Sequence, residues 1–227
     1  QAIFMIVSVI GPPLGGWMAG AYGFKLMLLA AGIFYFIAMI MRLSMAREAA
    51  KTATTKTEKL SFSSLKVNLV SMFGLVFSGG LITWMLVTDG LRDISFQFSE
   101  NLFPVYMQEV GGLSLQQIGW VMSFFGMAMM LTTIPGGWLS DKAGERVGIA
   151  LGMILMSSAL FVLVNIPAGS QWMYYLGWGL AGMGAGVSAP AYQSLISKAV
   201  PQKNRGMAFG LFSTSLGIFS LPAPWIG

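Results

Sequence analysis

Four charged residues in one otherwise apolar stretch are the best candidates for chemistry in this chain. On a helix with about 100° per residue, the three carboxylates fall within roughly 40° of one another, and the arginine flanks the face they share. A carboxylate shielded from water favours its neutral form, so this face is suited to carrying protons or binding cations. We predict a site for a coupling ion or a substrate, with Glu100 as the strongest single candidate. The four residues are Asp89, Arg92, Asp93 and Glu100.

The same charges have a second interpretation. Arg92 stands three positions after Asp89 and next to Asp93, so the three side chains can form a structural ion pair near one end of the helix. Ion pairs that shift the pKa values of neighbouring groups are often structural rather than functional. Both roles therefore remain open for these three residues.

Composition excludes most enzyme classes and ordinary soluble folds. Hydrophobic residues make up 56% of the 227 residues, and only 9% are charged. A chain this apolar is predicted to be a polytopic membrane protein of the all-α class. The absence of cysteine and histidine removes thiol nucleophiles, histidine bases and zinc sites. We therefore predict no metal, no cofactor and no enzymatic activity.

Six apolar runs reach the length of about 20 residues that a membrane helix needs. Basic residues cluster at 42–66, 142–146 and 198–205, which places these connections on the cytoplasmic side by the positive-inside rule. A nucleic-acid partner is not predicted, because the net charge of +5 lies in these connections and not on one polar face. The runs are 2–21, 24–45, 114–139, 147–166, 171–196 and 206–227.

The region between the second and third runs is harder to divide. Residues 47–59 are rich in Thr, Ala and Lys without apolar periodicity, which indicates a solvated linker. One further span must lie between this linker and the run 114–139, and two segments compete for it. Hydropathy favours 67–82, because each charge within 83–108 costs about 2.5 to 3.5 kcal/mol at a helix centre.

A charged turn at 137–146 has the sequence Gly-Trp-Leu-Ser-Asp-Lys-Ala-Gly-Glu-Arg. Its two glycines allow a close backbone reversal, while its charges stay at the water interface. This pattern resembles the loop between helices eight and nine of the major facilitator superfamily of secondary transporters. Glu145 departs from it, because a basic residue is usual there. The matching residues include Gly137, Asp141, Lys142, Gly144 and Arg146.

The first apolar run carries a second motif. Its sequence Gly-Pro-Pro-Leu-Gly-Gly resembles the Gly-Pro-x-x-Gly-Gly motif in the fifth helix of proton-driven exporters of that superfamily, although Val7 stands where a further glycine is usual. Prolines and glycines interrupt the helical hydrogen-bond ladder, so this segment is predicted to be a hinge or a static kink. The motif residues are Gly11, Pro12, Gly15 and Gly16.

The resemblance implies the bundle of two pseudo-symmetric six-helix repeats, with this chain covering helices five to eleven of twelve. Residues 1–46 then form the last two helices of the N-terminal half, and 82–227 form helices seven to eleven of the C-terminal half. Between them, 47–81 form a cytoplasmic linker with an interfacial helix at 61–80. On this basis we predict 82–108 as the seventh span.

The function implied by the resemblance is secondary transport of a small solute by alternating access. The fifth-helix motif favours proton-coupled efflux or antiport, with protons or another cation as the coupling ion. A metabolite or sugar symporter is the alternative, as is a membrane receptor that keeps the fold without transport. The implied location is the lipid bilayer of a prokaryotic plasma membrane.

Two further roles follow from placement at the ends of helices. By resemblance, the 137–146 turn controls opening on the cytoplasmic side, and Arg146 is predicted to pair with Asp141 across it. At the opposite end, clustered aromatic residues are predicted to form an interfacial belt that anchors the helices, with substrate stacking as the alternative. These aromatic residues are Trp172, Tyr174, Tyr175 and Trp178.

Overall fold

The computed structural model describes residues 2–52, 74, 79–100, 102–167, 169–200, 206 and 210. Within these ranges the chain is helical and contains no strand, which confirms the predicted all-α class. The helices are α1 (Ala2–Thr52), α2 (Leu81–Glu100), α3 (Phe103–Glu109), α4 (Leu115–Ala143), α5 (Glu145–Val164) and α6 (Trp172–Ala199).

Gly23 divides α1 into two arms, 2–22 and 24–52. Its φ of 81° and ψ of 163° are not helical, and glycine adopts them without the steric cost of a Cβ atom. Each arm is long enough to cross a membrane once. The second arm continues to Thr52, past the start of the predicted linker, because Ala, Glu and Lys there are good helix formers.

Three described segments are long and apolar enough to cross a membrane, namely Ile6–Glu48, Leu115–Ala143 and Glu145–Val164. The first contains both arms of α1. Helix α6 has 28 residues and is long enough to span, but glycine, serine and its polar ends make it less apolar. Charges lower the hydropathy of α2 in the same way.

Two predicted elements lie largely outside the described residues, namely the interfacial helix at 61–80 and the last apolar run, 206–227. Where the first of these would end, Gly79 has a φ of 68°, in the left-handed region that favours glycine. Helix α2 begins two residues later. The predicted seventh span, 82–108, corresponds to α2, which ends at Glu100, and to the short α3, which begins at Phe103.

Helix α6 packs closely between α4 and α5 because glycines line it on both sides. Gly182 lies against the Phe125 carbonyl of α4. Gly184 lies against the Gly152 carbonyl of α5, where an added Cβ atom would come within 2.7 Å of the oxygen. Small residues permit such close approach of backbones, which drives helix association in lipid where apolar burial does not.

An apolar core fills one end of the bundle where α3, α4, α5 and α6 meet. Tyr174 and Trp178 belong to it, being only 3% and 6% exposed, so the predicted aromatic belt is wrong for these two residues. They lie one helical turn apart, on the face of α6 that packs into the bundle. Trp172 is exposed, as a belt residue would be. The core residues are Met107, Leu113, Ile118, Val121, Leu163, Tyr174 and Trp178.

Candidate functional site

The charged residues of α2 form one buried cluster. Asp89 and Asp93 are each 6% exposed, and Arg92 lies between them. Arg92 Nη1 is 2.7 Å from Asp89 Oδ1. On the other side, Arg92 donates to Asp93 Oδ1 from Nε at 3.2 Å and from Nη2 at 2.9 Å. The structure therefore brings together three of the four predicted residues. Glu100 is the last residue of α2, and its side chain lies outside those described.

Tyr192 of α6 completes the cluster. The Arg92 guanidinium carbon lies 5.8 Å from the centre of the Tyr192 ring, within the range of a cation–π contact. The Tyr192 hydroxyl donates to the Met85 carbonyl of α2 at 3.1 Å. This tyrosine therefore ties the charged helix to α6. Sequence reasoning missed it, although a Tyr-Gln pair inside a run of small apolar residues was a signal that could have been used.

Two cavities meet at this cluster. The larger, of about 560 Å³, is bordered by Asp89, and the smaller, of about 350 Å³, is bordered by Asp93. Arg92 and Tyr192 border both spaces. The remaining walls are mainly apolar. Residues of α5 that border both cavities are Ile149, Met153 and Met156.

The fifth-helix motif lies at the seam between the first arm of α1 and α4. Gly16 lies against the Leu115 carbonyl at one end of the seam, and Gly126 lies against the Ser8 carbonyl at the other. The two helices are therefore antiparallel. Small residues on both let the backbones touch, as is typical of tight helix pairs in membranes.

The four predicted motif residues do not share one role in this seam. The Pro12 carbonyl lies against Gly119 of α4, where an added Cβ atom would be 2.5 Å from the oxygen. Gly16 contacts α4 as described above. A Cβ atom on Gly15 would meet nothing within 4 Å, and one on Gly11 would meet only the Val7 side chain of its own helix.

The charged turn at 137–146 is much shorter than its sequence suggests. Helix α4 continues to Ala143 and α5 begins at Glu145, so Gly144 alone makes the reversal, with φ of 93° and ψ of 154°. The prediction that Gly137 shares in the turn is wrong. Gly137 lies inside α4, where an added Cβ atom would contact the Pro190 side chain of α6 at 3.8 Å.

The charges of this turn also pair differently from the prediction. Asp141 and Arg146 are both exposed and form no ion pair with each other. Glu145, the residue that departs from the family pattern, instead forms an ion pair with Lys198 near the end of α6. Ser194 donates to the same Glu145 oxygen at 2.9 Å. Lys142 lies over the Trp138 ring, 4.2 Å from its centre.

Comparison with known proteins identifies the family. The family model described as Major Facilitator Superfamily matches residues 91–227, which is more than half of the chain. The chain belongs to the major facilitator superfamily. The matched region begins inside the charged cluster of α2 and includes the 137–146 turn. Membership confirms the family resemblance seen in the sequence and the predicted helical membrane fold.

Two curated relatives are informative. Over 126 residues, the chain is 29% identical to the quinolone resistance protein NorA of Staphylococcus aureus, an alignment that covers 56% of this chain and 32% of the relative. It is 36% identical over 104 residues to an uncharacterized transporter of Buchnera aphidicola, covering 44% of this chain and 25% of that protein. The chain thus spans about a third or less of the relatives it matches.

As a superfamily member, the chain is a multi-pass integral membrane protein of a transport family. The buried cluster on α2 and the two cavities around it are its candidate site.

Proposed function

We propose that the full protein is a proton-coupled antiporter that expels a small organic solute, and that Asp89, Arg92 and Asp93 form its coupling site. One observation carries this proposal. Two buried carboxylates and one half-buried guanidinium lie together beside two cavities, in a part of the protein that otherwise presents mainly apolar walls. Charged groups inside a membrane protein are expensive and commonly mark ion or substrate pathways.

The charge balance of the cluster supports a cation as the ligand. Asp89 and Asp93 carry two negative charges, and Arg92 neutralises one. Tyr192 is the titratable group that faces the cluster from α6, and the residues of α4 and α5 that border the smaller cavity are uncharged. One further positive charge would neutralise the site, from either a proton or a cationic solute. Competition between those two ligands for one position would couple their movements.

The two carboxylates are held differently by Arg92, which suggests separate roles. Asp93 accepts two hydrogen bonds from the guanidinium. Asp89 Oδ1 is close to Arg92 Nη1, but the pair lies outside hydrogen-bond geometry. Arg92 therefore contacts Asp89 through one nitrogen and Asp93 through two. We assign proton or cation exchange to Asp89 and the anchoring of Arg92 to Asp93.

The larger cavity supports an amphipathic organic solute. Its volume of about 560 Å³ falls within the range of about 300 to 1,000 Å³ that is usual for sites of small organic molecules. Phe103, Leu160 and Trp178 contribute an apolar wall, while Asp89 and Arg92 contribute charge. One relative is named a quinolone resistance protein, so a quinolone is the natural first probe. The proposed location is a bacterial plasma membrane.

We also retain a conformational role for the cytoplasmic turn. Asp141, Lys142 and Arg146 are exposed at the turn that Gly144 makes. Because Asp141 and Arg146 are not paired with each other, they are available to meet other parts of the full transporter. In this proposal such contacts hold the cytoplasmic side closed and break when it opens.

Flux through liposomes containing the full-length transporter tests the proposal. A pH gradient should drive quinolone movement in the direction opposite to the protons. Asp89→Asn should abolish that response and leave the protein folded. Glu109→Gln removes an exposed carboxylate of α3 and should leave the flux unchanged. Equal pH-driven flux in Asp89→Asn and the unmodified protein would contradict the assignment, and movement of solute with the protons would favour the symporter.

A further inference from the structure

Two consecutive prolines remove two hydrogen bonds from the first arm of α1. A proline nitrogen carries no hydrogen, so the carbonyl four residues earlier receives no donor from its own helix. For Pro13 this carbonyl belongs to Val9, and for Pro12 it belongs to Ser8. Backbone polar groups at membrane depth need partners, because lipid offers none. The helical backbone nevertheless continues through both prolines.

Helix α4 supplies the partner that Val9 lacks. The Ser123 hydroxyl donates to the Val9 carbonyl, across a separation of 114 residues in the sequence. Ser123 is 6% exposed, and the bond itself is partly buried. Gly126 stands three residues further along α4, and its lack of a side chain allows the Ser8 carbonyl to approach closely. The hydroxyl of α4 thus replaces a bond that Pro13 removed from α1.

Other serines in these helices behave differently. Ser140, Ser158 and Ser188 each donate to the carbonyl four residues earlier on their own helix, at 2.8 to 2.9 Å. That is the usual local bond of a serine inside a membrane helix. Ser123 instead uses its hydroxyl to join two helices, at the position where the partner helix has a carbonyl without a helical donor.

The seam is open beside this bond. A crevice of about 360 Å³ is bordered by Val9, Pro13 and Ser123, and by the rings of Trp17 and Trp120. The helices are in direct contact at the glycines on either side of the crevice. The hydrogen bond therefore lies between two backbone contacts of the seam, beside the crevice.

We propose that Ser123 is a positioning residue that latches the first arm of α1 to α4 through the Val9 carbonyl. The latch sets the equilibrium between the packing described here and an arrangement in which the two helices separate. Only the last step, that separation accompanies transport, rests on the proposed function. The latch itself is a property of the seam and is testable without any solute.

Distance measurements between spin labels test the latch in the full-length protein. Labels are placed on cysteines replacing Tyr22 and Val110, which are exposed near the same end of the seam. Ser123→Ala should raise the ratio of long to short distances by about 2- to 10-fold, the range expected for one hydrogen bond. Ser123→Thr, which keeps the hydroxyl, should resemble the unmodified protein. Ser158→Ala removes a hydroxyl bonded within its own helix and should change nothing.

The decisive experiment restores the backbone donor that Pro13 lacks. Pro13→Ala returns an N–H to position 13, and that group can serve the Val9 carbonyl from within α1. In this background Ser123→Ala should shift the distance ratio by less than about 2-fold, because the carbonyl keeps a partner. An equal shift in both backgrounds would overturn the proposal.

If Ser123→Ala alone does not accumulate in the membrane, the expression level itself becomes the measurement. Accumulation should then return in Pro13→Ala/Ser123→Ala, and failure of both variants would overturn the latch as well. Retained pH-driven flux in Asp89→Asn would contradict the proposed function without changing these distances, so the two proposals can fail separately.

Discussion

Arg92 and Asp93 are joined by two hydrogen bonds to one carboxylate oxygen, at 3.2 Å from Nε and 2.9 Å from Nη2. This contact holds the guanidinium over the Tyr192 ring, where it borders both cavities. Asp89 contacts the same guanidinium through Nη1 alone, at 2.7 Å. The division of labour proposed for the two carboxylates follows from this asymmetry.

Removing the arginine charge should destabilise the protein. Arg92→Gln leaves Asp89 and Asp93 buried without a cation, and an uncompensated buried charge costs about 3 kcal/mol or more. We expect a lower thermal midpoint for the purified full-length protein. Arg92→Gln/Asp93→Asn removes one carboxylate as well and should recover much of the loss. Equal midpoints for Arg92→Gln and the unmodified protein would show that the pair contributes nothing to stability.

Glu100 remains a separate prediction from the sequence. It shares the helical face of Asp89 and Asp93, so Glu100→Gln is expected to abolish proton-coupled flux while leaving the protein folded. Uptake driven by a pH gradient measures this, with Glu109→Gln as the matched carboxylate control. Unchanged uptake in Glu100→Gln would confine coupling to the Asp89–Arg92–Asp93 cluster.

The single-residue turn at Gly144 should tolerate no side chain. Its φ of 93° and ψ of 154° lie in a region that only glycine occupies readily, so Gly144→Ala should cost about 1 to 3 kcal/mol of stability. Gly15→Ala is the matched control, because its position is helical and an added Cβ atom meets nothing within 4 Å. Thermal unfolding of both variants gives the comparison. A Gly144→Ala midpoint equal to that of Gly15→Ala would contradict the strained geometry.

The Glu145–Lys198 pair should survive an exchange of its charges. It joins the start of α5 to the end of α6, and Glu145 occupies a place where the family usually has a basic residue. Glu145→Lys and Lys198→Glu should each lower the thermal midpoint, because each variant places like charges together. Glu145→Lys/Lys198→Glu should restore it. Additive losses in the double variant would show that the two residues act independently.

Local patterns allowed the membrane class, the α2 charges and the 137–146 turn to be recognised from the sequence. Asp89, Arg92 and Asp93 are close in sequence, and helical spacing alone places them together. The same reasoning misjudged Gly137, because local turn chemistry does not reveal that α4 continues helically to Ala143.

Contacts between distant parts of the chain could not be predicted from the sequence. Tyr192 meets Met85 across 107 residues, and Ser123 meets Val9 across 114. No periodicity within one helix indicates which faces of two helices will touch. Tyr174 and Trp178 illustrate the same limit, since their composition suggests an interface and only packing against α4 and α5 shows that they are buried.

Proton release on solute binding tests the coupling site most directly. The purified full-length protein is mixed with a quinolone in weakly buffered detergent solution containing a pH indicator, at a pH where the free site is protonated. If proton and solute compete for Asp89, the unmodified protein should release protons on binding, and Asp89→Asn should bind without releasing any. Equal proton release by Asp89→Asn and the unmodified protein would contradict the assignment of coupling to this carboxylate.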